Sequence, residues 1–299
     1  MPQRVLVLGV SGMLGHALMS EFSDMDSLEV YGSARDIGLL PEYLPADLLE
    51  RVILGVEASD LDSVRRAISE ARPDTVVNCI GVIKQDPAVD DTVNTISVNS
   101  LFPHLLAREC ARQDARLIQI STDCVFSGRR GNYAESDLPD PSDLYGRSKL
   151  LGEVTVAPHL TLRTSIIGHE LGTTRSLLDW FLSQSGVVKG FAKAIYSGLT
   201  TVELARVLAT VVFPRSEISG LYQVASTPIS KFDLLTLVAD EYGWEGKLVR
   251  DGAVVIDRSL VAERFFALTN YHAPLWPEMI AEMHRTLPAG RRYARRNGS

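Results

Sequence analysis

The chain has 299 residues, of which 45% are hydrophobic and 22% charged, and its formal net charge at pH 7 is −7. A chain of this length can bury a full hydrophobic core, and its composition is that of an ordinary globular protein. The negative charge argues against a general nucleic-acid binder, and no apolar run reaches the ~18 residues that a membrane span requires.

Short apolar segments alternate with longer amphipathic ones through the first half of the chain. The first is a run over residues 4–8 that ends in glycine, as a buried parallel strand does. The same criteria predict further strands over 28–32, 51–56, 75–78, 116–120 and 160–164, and helices over 12–22, 61–70, 94–112 and 145–154. Asp60 is the expected N-cap of the second helix. This alternation predicts βαβ units and a mostly parallel sheet.

The regular alternation of predicted strands and helices ends after Gly168. Helices are predicted over 177–183, 201–212 and 230–242, the last with Ser230 as its cap, and a strand over 221–225. Residues 187–196 are mixed and basic. The helix at 201–212 and the strand at 221–225 could return to the first sheet. We therefore expect an α/β fold, a Rossmann doubly wound parallel sheet with a smaller discontinuous α/β lobe.

The expected division places residues 1–168 and 199–226 in the larger domain. Residues 169–198 and 227–290 form the smaller lobe, and residues 291–299 form a basic, arginine-rich tail that we expect to be disordered.

Three glycines follow the first strand with the spacing Gly9-Val-Ser-Gly12-Met-Leu-Gly15. Gly9 permits a tight turn, Gly12 lets a pyrophosphate approach the backbone, and Gly15 lets the helix pack closely on the strand. The helix N-terminus adds amide donors and the positive end of a dipole. The larger domain is therefore predicted to bind a dinucleotide through Gly9, Ser11, Gly12, Met13, Leu14 and Gly15.

The end of the second strand bears on the choice between NADP and NAD. Ser33 and Arg35 stand where NAD enzymes usually carry an acidic residue, and a small polar residue followed by arginine suits a 2′-phosphate. We expect NADP to be preferred, with NAD open because Asp36 is adjacent. Further cofactor contacts are expected after the third and fourth strands, at Glu57, Ala58, Cys79, Ile80 and Gly81.

Tyr145 and Lys149 lie four residues apart on a predicted helix, so their side chains share one face. An ammonium beside a phenol favours the phenolate, so we expect the pKa of Tyr145 to fall toward neutrality. Tyr145 is then a candidate general acid and base. The hydroxyl of Thr122 is a candidate to hold the carbonyl that receives the proton.

These motifs together resemble the extended short-chain dehydrogenase/reductase superfamily. More narrowly, the chain resembles the dTDP-4-dehydrorhamnose reductase (RmlD-like) family of sugar-nucleotide reductases, over nearly its whole length. The resemblance rests on the glycine loop and on the strings Ile120-Ser-Thr-Asp-Cys-Val-Phe-Ser-Gly128, Tyr145-Gly-Arg-Ser-Lys149 and Leu162-Arg-Thr-Ser165.

The resemblance implies NADPH-dependent reduction of a nucleotide-linked 4-keto-6-deoxy sugar. Thr122, Tyr145 and Lys149 would be the catalytic set. Tyr145 would protonate the sugar carbonyl oxygen, while Lys149 would lower the pKa of the phenol and hold the nicotinamide ribose. Asp123 would lie in the sugar site. Asn99 falls where related enzymes keep an asparagine near the lysine, although it is equally well read as a polar residue inside a helix.

The chain departs from the family pattern at three positions that bear on the substrate. Cys124 replaces the glutamate that the 4,6-dehydratases carry, which disfavours dehydration. Ile166 replaces a frequent tryptophan, and Lys84 lies either in the cleft or in solvent. The candidate substrate-binding residues are Lys84, Thr122, Asp123, Cys124, Arg163, Ser165, Lys189 and Arg258.

Two other functions stay open. Some relatives of this family are non-catalytic regulatory subunits that bind the dinucleotide, and others are nucleotide-sugar epimerases or dehydratases with tightly bound NAD. The three cysteines form no disulfide framework, and the chain enters its first strand directly, so we expect a cytoplasmic protein without a signal peptide. Histidine spacing predicts no metal site. A homodimer is possible, and the sequence names neither the sugar nor its base.

Overall fold

A computed structural model describes residues 2–84 and 87–287, so the basic tail at 291–299 lies outside the described residues. The strands are β1 (Gln3–Leu8), β2 (Leu28–Ser33), β3 (Val52–Ile53), β4 (Thr75–Asn78), β5 (Arg116–Thr122), β6 (Leu160–Thr164), β7 (Ile166–Ile167), β8 (Val187–Tyr196), β9 (Leu199–Thr200), β10 (Gly220–Gln223), β11 (Ile229–Ser230) and β12 (Lys247–Asp257).

The α-helices are α1 (Met13–Ser23), α2 (Leu40–Tyr43), α3 (Ala46–Leu49), α4 (Leu61–Ala71), α5 (Thr92–Ile96), α6 (Phe102–Arg112), α7 (Leu144–Leu151), α8 (Leu177–Ser183), α9 (Thr201–Val207), α10 (Lys231–Tyr242), α11 (Glu263–Thr269) and α12 (Trp276–Arg285). Short 3₁₀ turns cover Pro87–Asp90 and Asp123–Val125, and π-helical turns cover Ser97–Leu101 and Leu208–Val212. In the part of the chain that the structure describes, no helix is both long and apolar enough to cross a membrane.

Seven strands form one parallel sheet in the order β10-β6-β5-β4-β1-β2-β3. Alternate residues of β1 point to opposite faces, and both faces are buried. Val5 and Val7 join a core that includes residues of α1 and α9, whereas Leu6 and Leu8 join a core that includes residues of α4 and α6. The expected α/β architecture, a Rossmann-type sheet covered by helices on both faces, is therefore confirmed.

A smaller sheet has the order β11-β8-β12, and β7 pairs with β9 in a two-stranded sheet. The smaller sheet draws its strands only from the two segments assigned to the smaller lobe. As expected, α9 and β10 return to the larger fold, where β10 pairs with β6. The division into a larger domain and a lobe itself stays a prediction.

Several element boundaries differ from expectation. The third strand is only Val52–Ile53, and the helix expected over 94–112 begins at Thr92 and contains the π-helical turn Ser97–Leu101. Residues 187–196, whose mixed pattern predicts no single type of element, form the strand β8. The caps Asp60 and Ser230 are confirmed, since each side chain accepts a hydrogen bond from a backbone amide of the first helical turn.

Arg116, at the start of β5, joins this strand to the segment that follows α9. Its buried guanidinium donates to the carbonyl oxygens of Val212, Arg215 and Ile218. We expect Arg116→Met to leave these carbonyls without their donor and to lower the free energy of unfolding by about 3 kcal/mol. Denaturant unfolding checks this against Arg108→Met, a change at an exposed arginine of α6. An equal effect of the two changes would contradict the assignment.

Candidate active site

The candidate site lies at the carboxyl edge of the large sheet, where strand order reverses. β1 pairs with both β2 and β4: the chain passes outward from β1 through β2 to β3, then returns to β4 on the other side of β1 and continues outward through β5. Ligands of open α/β sheets bind in the crevice that forms at such a point. The loop beginning at Gly9, the residues after Asn78 and the end of β5 at Thr122 all meet there.

The glycine loop is hydrogen-bonded to the end of β2, and its middle residues are exposed. The amides of Gly9 and Val10 donate to the carbonyl oxygen of Ser33, at 3.0 and 2.9 Å. A Cβ added to Gly15 would overlap the carbonyl oxygen of Gly9, so α1 packs directly on the loop. A Cβ on Gly12 would meet nothing closer than 3.4 Å, and Ser11 and Gly12 are exposed. The loop therefore offers an open backbone surface next to a helix N-terminus, which fits a pyrophosphate.

The end of β2 also has features that suit a bound dinucleotide. Ser33 is fully buried, and its hydroxyl makes no hydrogen bond within the described residues. Arg35 is exposed just beyond it. Glu57 is also exposed and Ala58 half-buried after β3. An unused hydroxyl and a nearby guanidinium beside the glycine loop suit the ribose end of a dinucleotide.

The loop after β4 is held in place by Asn99, in the π-helical turn. Asn99 Oδ1 accepts from the Val82 amide and Nδ2 donates to the Val82 carbonyl, both at 2.9 Å. Nδ2 also donates to Ser148 Oγ at 3.1 Å. Asn99 thus connects the loop of Cys79, Ile80 and Gly81 to α7, and both polar atoms of its side chain form hydrogen bonds within the protein. Its position near Lys149 matches expectation, whereas its direct contact with a cofactor stays a prediction.

Helix α7 carries Tyr145 and Lys149 and is fixed tightly against the end of β5. Asp143 caps the helix by accepting from the Gly146 amide at 2.8 Å. A Cβ on Gly146 would overlap the carbonyl oxygen of Cys124, so no larger residue permits this approach. Lys149 Nζ donates to the Ile120 carbonyl at 2.7 Å.

The three expected catalytic side chains therefore lie together. The Thr122 hydroxyl lies close enough to Tyr145 to act on the pKa of the phenol. It also accepts from the Cys124 amide at 3.1 Å and donates to Asp123 Oδ1 at 3.2 Å.

The titration of Tyr145 differs from the sequence expectation. Burial raises the pKa of Tyr145, with Cys124 adding to the rise and the Thr122 hydroxyl opposing it. The expected fall toward neutrality is not found, because burial outweighs the interactions that favour the phenolate. Burial also lowers the pKa of Lys149, to about 8, although the Glu153 carboxylate opposes this shift. Both groups are thus pushed toward their neutral forms.

Arg163 is occupied inside the protein. It is only 3% exposed and forms a bidentate pair with Glu153, at 2.7 and 2.8 Å. Glu153 Oε1 also accepts from Ser121 Oγ at 2.7 Å. Arg163 Nη1 is buried without a hydrogen-bond partner in the described part of the chain, and a contact of Arg163 with a substrate stays a prediction.

Lys84 is exposed, with 47% of its side chain accessible, and its Nζ contacts Asp143 Oδ2 at 2.6 Å, next to the start of α7. Arg258 also reaches the site, where its Nε donates to the Phe126 carbonyl at 2.9 Å. Burial raises the pKa of Cys124 to about 12. A neutral thiol at that position is a poor nucleophile.

The two remaining candidate substrate-binding residues are Lys189 and Ser165. Lys189 is 74% exposed and pairs with Asp251 at 3.8 Å. It precedes Tyr196 by seven residues on β8, about 23 Å at the usual rise per residue, so the structure does not bring it to the cluster. Ser165 is half-buried next to Ile166, and its carbonyl accepts from the Leu199 amide at 2.8 Å.

The sequence did not single out four residues that belong to this cluster. Asp143 and Glu153 could have been found from the sequence, because Asp143 directly precedes a helix and Glu153 lies four residues after Lys149. No sequence pattern connects Tyr196 or Lys231 with the site. Both interact electrostatically with Asp123 in the folded chain.

Comparison with known proteins agrees with this geometry. Residues 3–254 match the family model of the RmlD substrate binding domain. The chain is 37% identical over 160 residues to methionine adenosyltransferase 2 subunit beta of Danio rerio, covering 52% of this chain and 44% of that protein. It is 34% identical over 160 residues to dTDP-4-dehydrorhamnose reductase of Mycolicibacterium smegmatis, covering 52% and 42%. Each match spans less than half of the relative's length.

A solved structure of dTDP-4-dehydrorhamnose reductase from Bacillus anthracis, in complex with NADP, has the same fold. Its TM-score is 0.76 at 20% identity, over 95% of this chain and 99% of that one.

The glycine loop generates a paired prediction. Gly15→Ala forces a methyl group into the Gly9 carbonyl and should lower the free energy of unfolding by about 3 kcal/mol. Gly12→Ala has room, and its φ of −88° suits alanine, so the fold should keep its stability. The added methyl should instead weaken NADPH binding about 10-fold or more, since it occupies the pyrophosphate approach. Thermal unfolding and NADPH fluorescence titration measure both, and unchanged NADPH binding by Gly12→Ala would contradict the site.

Proposed function

This chain belongs to the RmlD family, and on that premise we propose that it uses NADPH to reduce a nucleotide-linked 4-keto-6-deoxy sugar. The proposal is supported by the meeting of α7, which carries Tyr145 and Lys149, with the end of β5 at Thr122, at the same edge of the sheet as the glycine loop. Reductases of this name occur among the relatives, although they match only part of their length here.

The chain's own residues account for the proton side of this reduction. The bound nicotinamide would supply the hydride. Thr122 would hold the carbonyl oxygen by a hydrogen bond, and Tyr145 would donate its phenolic proton to that oxygen. Because burial raises the pKa of Tyr145, the phenol stays protonated at neutral pH, which suits a donor. An alkoxide is far more basic than a phenolate, so the transfer remains favourable.

Lys149 would steady the phenolate that this transfer leaves. Its ammonium is already held at the Ile120 carbonyl, on the helix face that carries Tyr145. A new negative charge nearby favours the protonated form of the lysine, against the burial that lowers its pKa. Lys149 would also donate to the nicotinamide ribose.

Preference for NADP is part of the proposal. It is supported by Arg35, which is exposed just beyond the buried hydroxyl of Ser33, and by the absence of an acidic residue within β2 at its carboxyl end. The remaining cofactor contacts would come from the glycine loop, Glu57, Ala58 and the loop after β4. We also keep the cytoplasmic location, a homodimer and the division into two domains as parts of this proposal.

A second candidate is a non-catalytic subunit of another enzyme. It is favoured by the 37% identity to a protein named as the beta subunit of methionine adenosyltransferase 2. The complete Thr122, Tyr145 and Lys149 set favours catalysis over this reading. Cys124, as a neutral thiol, argues against the third reading, a dehydratase.

Tyr145→Phe tests the proton donor. Removing a general acid should slow NADPH oxidation with a nucleotide-linked 4-keto-6-deoxy sugar by about 100-fold or more, while NADPH binding is unchanged. The matched control is Tyr222→Phe, at a tyrosine of β10, which should keep full activity. Full turnover in Tyr145→Phe would sink the assignment. Tight NADPH binding without turnover of any keto sugar by the wild type would favour the subunit.

Arg35→Ala tests the cofactor preference. Loss of a charge-assisted contact to the 2′-phosphate should weaken NADPH binding about 10-fold or more and leave NADH binding unchanged. Arg108→Ala, at an exposed arginine of α6, should affect neither cofactor. Equal weakening of NADPH and NADH by Arg35→Ala would show that Arg35 does not read the phosphate.

A further inference from the structure

A buried ion pair lies just beyond the end of α7. Glu153 follows this helix and stands four residues after Lys149. Its side chain is 6% exposed and forms a bidentate pair with Arg163 of β6, which is equally buried. The steps of the proposed reaction use neither residue. The attraction between two buried charges often only offsets the cost of removing them from water, so stability alone is a weak explanation for this pair.

Three hydrogen bonds hold the Glu153 carboxylate in one orientation. Arg163 Nε and Nη2 donate to its Oε1 and Oε2 at 2.7 and 2.8 Å, and Ser121 Oγ donates to Oε1 at 2.7 Å. Ser121 and Arg163 lie opposite each other in the register of β5 and β6, so these donors all come from the large sheet. The carboxylate therefore has a fixed position relative to that sheet.

The same strand holds Lys149. Its Nζ donates to the carbonyl oxygen of Ile120, which directly precedes Ser121 on β5. Lys149 and Glu153 are thus bound to consecutive residues of one strand. The chain between them is also fixed, because a Cβ on Gly152 would overlap a backbone carbonyl oxygen of the π-helical turn that packs against it. The ammonium and the carboxylate are consequently held near each other.

Glu153 supplies the negative charge that acts on this ammonium. Glu153 and Cys79 both favour the charged form of Lys149 by raising its pKa, against burial, which lowers it. Burial raises the pKa of the Cys79 thiol, so Cys79 is neutral at pH 7. The phenol of Tyr145 is neutral for the same reason. The other titratable or charged side chains of α7, its cap and the elements packed against it are Lys84, Asp90, Arg116, Asp123, Cys124, Asp143 and Arg147.

We propose that Glu153 is a positioning residue of the reaction, a fixed carboxylate that keeps Lys149 charged and bound to the Ile120 carbonyl, and that Arg163 and Ser121 hold this carboxylate in place. This inference rests on the proposed function for its reaction. It gives the buried pair a task in the chemistry, although neither of its members touches the substrate.

Competitive labelling of the free protein tests the coupling. Acetic anhydride acetylates only the neutral form of a lysine, so mass spectrometry of the Lys149 peptide over a pH series gives the midpoint of its titration. Lys149 is half-buried, which leaves it open to a small reagent. The wild-type midpoint should lie at a pH of about 8. Glu153→Gln keeps the shape of the side chain but removes the negative charge, so the midpoint should fall by about one unit.

Further variants separate the charge from the fold. Glu153→Asp keeps the charge and should leave the midpoint nearer to wild type. Glu153→Gln combined with Arg163→Gln avoids an unpaired buried guanidinium and should still lower the midpoint. The matched control is Glu109→Gln, because Glu109 is a 5% exposed carboxylate in a bidentate pair with Arg65, at 3.0 Å for each contact. Unchanged midpoints in both variants that carry Glu153→Gln, or an equal fall in Glu153→Asp or Glu109→Gln, would overturn the proposal.

The pH dependence of turnover provides a second measurement. If Lys149 must be charged, a midpoint one unit lower makes Glu153→Gln about 5-fold slower than wild type at pH 8 but nearly as fast at pH 6.5. An equal loss of turnover at both pH values would show that Glu153 serves only the fold.

The two measurements separate this inference from the proposed function, because labelling needs no substrate. A midpoint that falls in Glu153→Gln, without turnover of any keto sugar by the wild type, would support the coupling and reject the reductase. An unchanged midpoint in a protein that reduces a keto sugar would reject this inference alone.

Discussion

The close approach of α7 to the end of β5 is the constraint on which the site depends. Gly146 lies against the Cys124 carbonyl, and Lys149 reaches the carbonyl of Ile120. Together these contacts fix the helix in rotation as well as in distance. The phenol of Tyr145 is consequently held next to the Thr122 hydroxyl without any contribution from a ligand. The groups of the proposed reaction therefore belong to the larger sheet and the helix packed on it.

Burial acts on the two titratable groups of that helix in opposite directions. It raises the pKa of Tyr145 and lowers the pKa of Lys149, so each group resists carrying charge. Such a site stores little charge at rest and can accept the charge separation of proton transfer when a substrate covers it. A long-lived phenolate would be better suited to oxidation of an alcohol. The direction of the Tyr145 shift agrees with the proposed role of its phenol as a proton donor.

The sequence predicted the features that a short stretch of the chain determines. The glycine loop, each strand of the parallel sheet, and the pair of Tyr145 and Lys149 are each contained within a few consecutive residues. β8 was not predicted because its more exposed face mixes the apolar residues Val187 and Phe191 with Lys189 and Lys193, which hides the alternation, and β12 is mostly exposed. The pKa of Tyr145 could not be predicted from spacing, since it depends on how deeply the fold buries the ring.

The cluster draws its two halves from different sheets. Thr122, Tyr145 and Lys149 belong to the large sheet and the helix packed on it. Tyr196 ends β8 of the small sheet, Arg258 directly follows β12, and Lys231 begins the helix that follows β11. Substitutions on the small sheet can accumulate without moving the reacting groups. Evolution can therefore retune which molecule is accepted while inheriting the reaction unchanged, because the two traits are encoded in separate stretches of the gene.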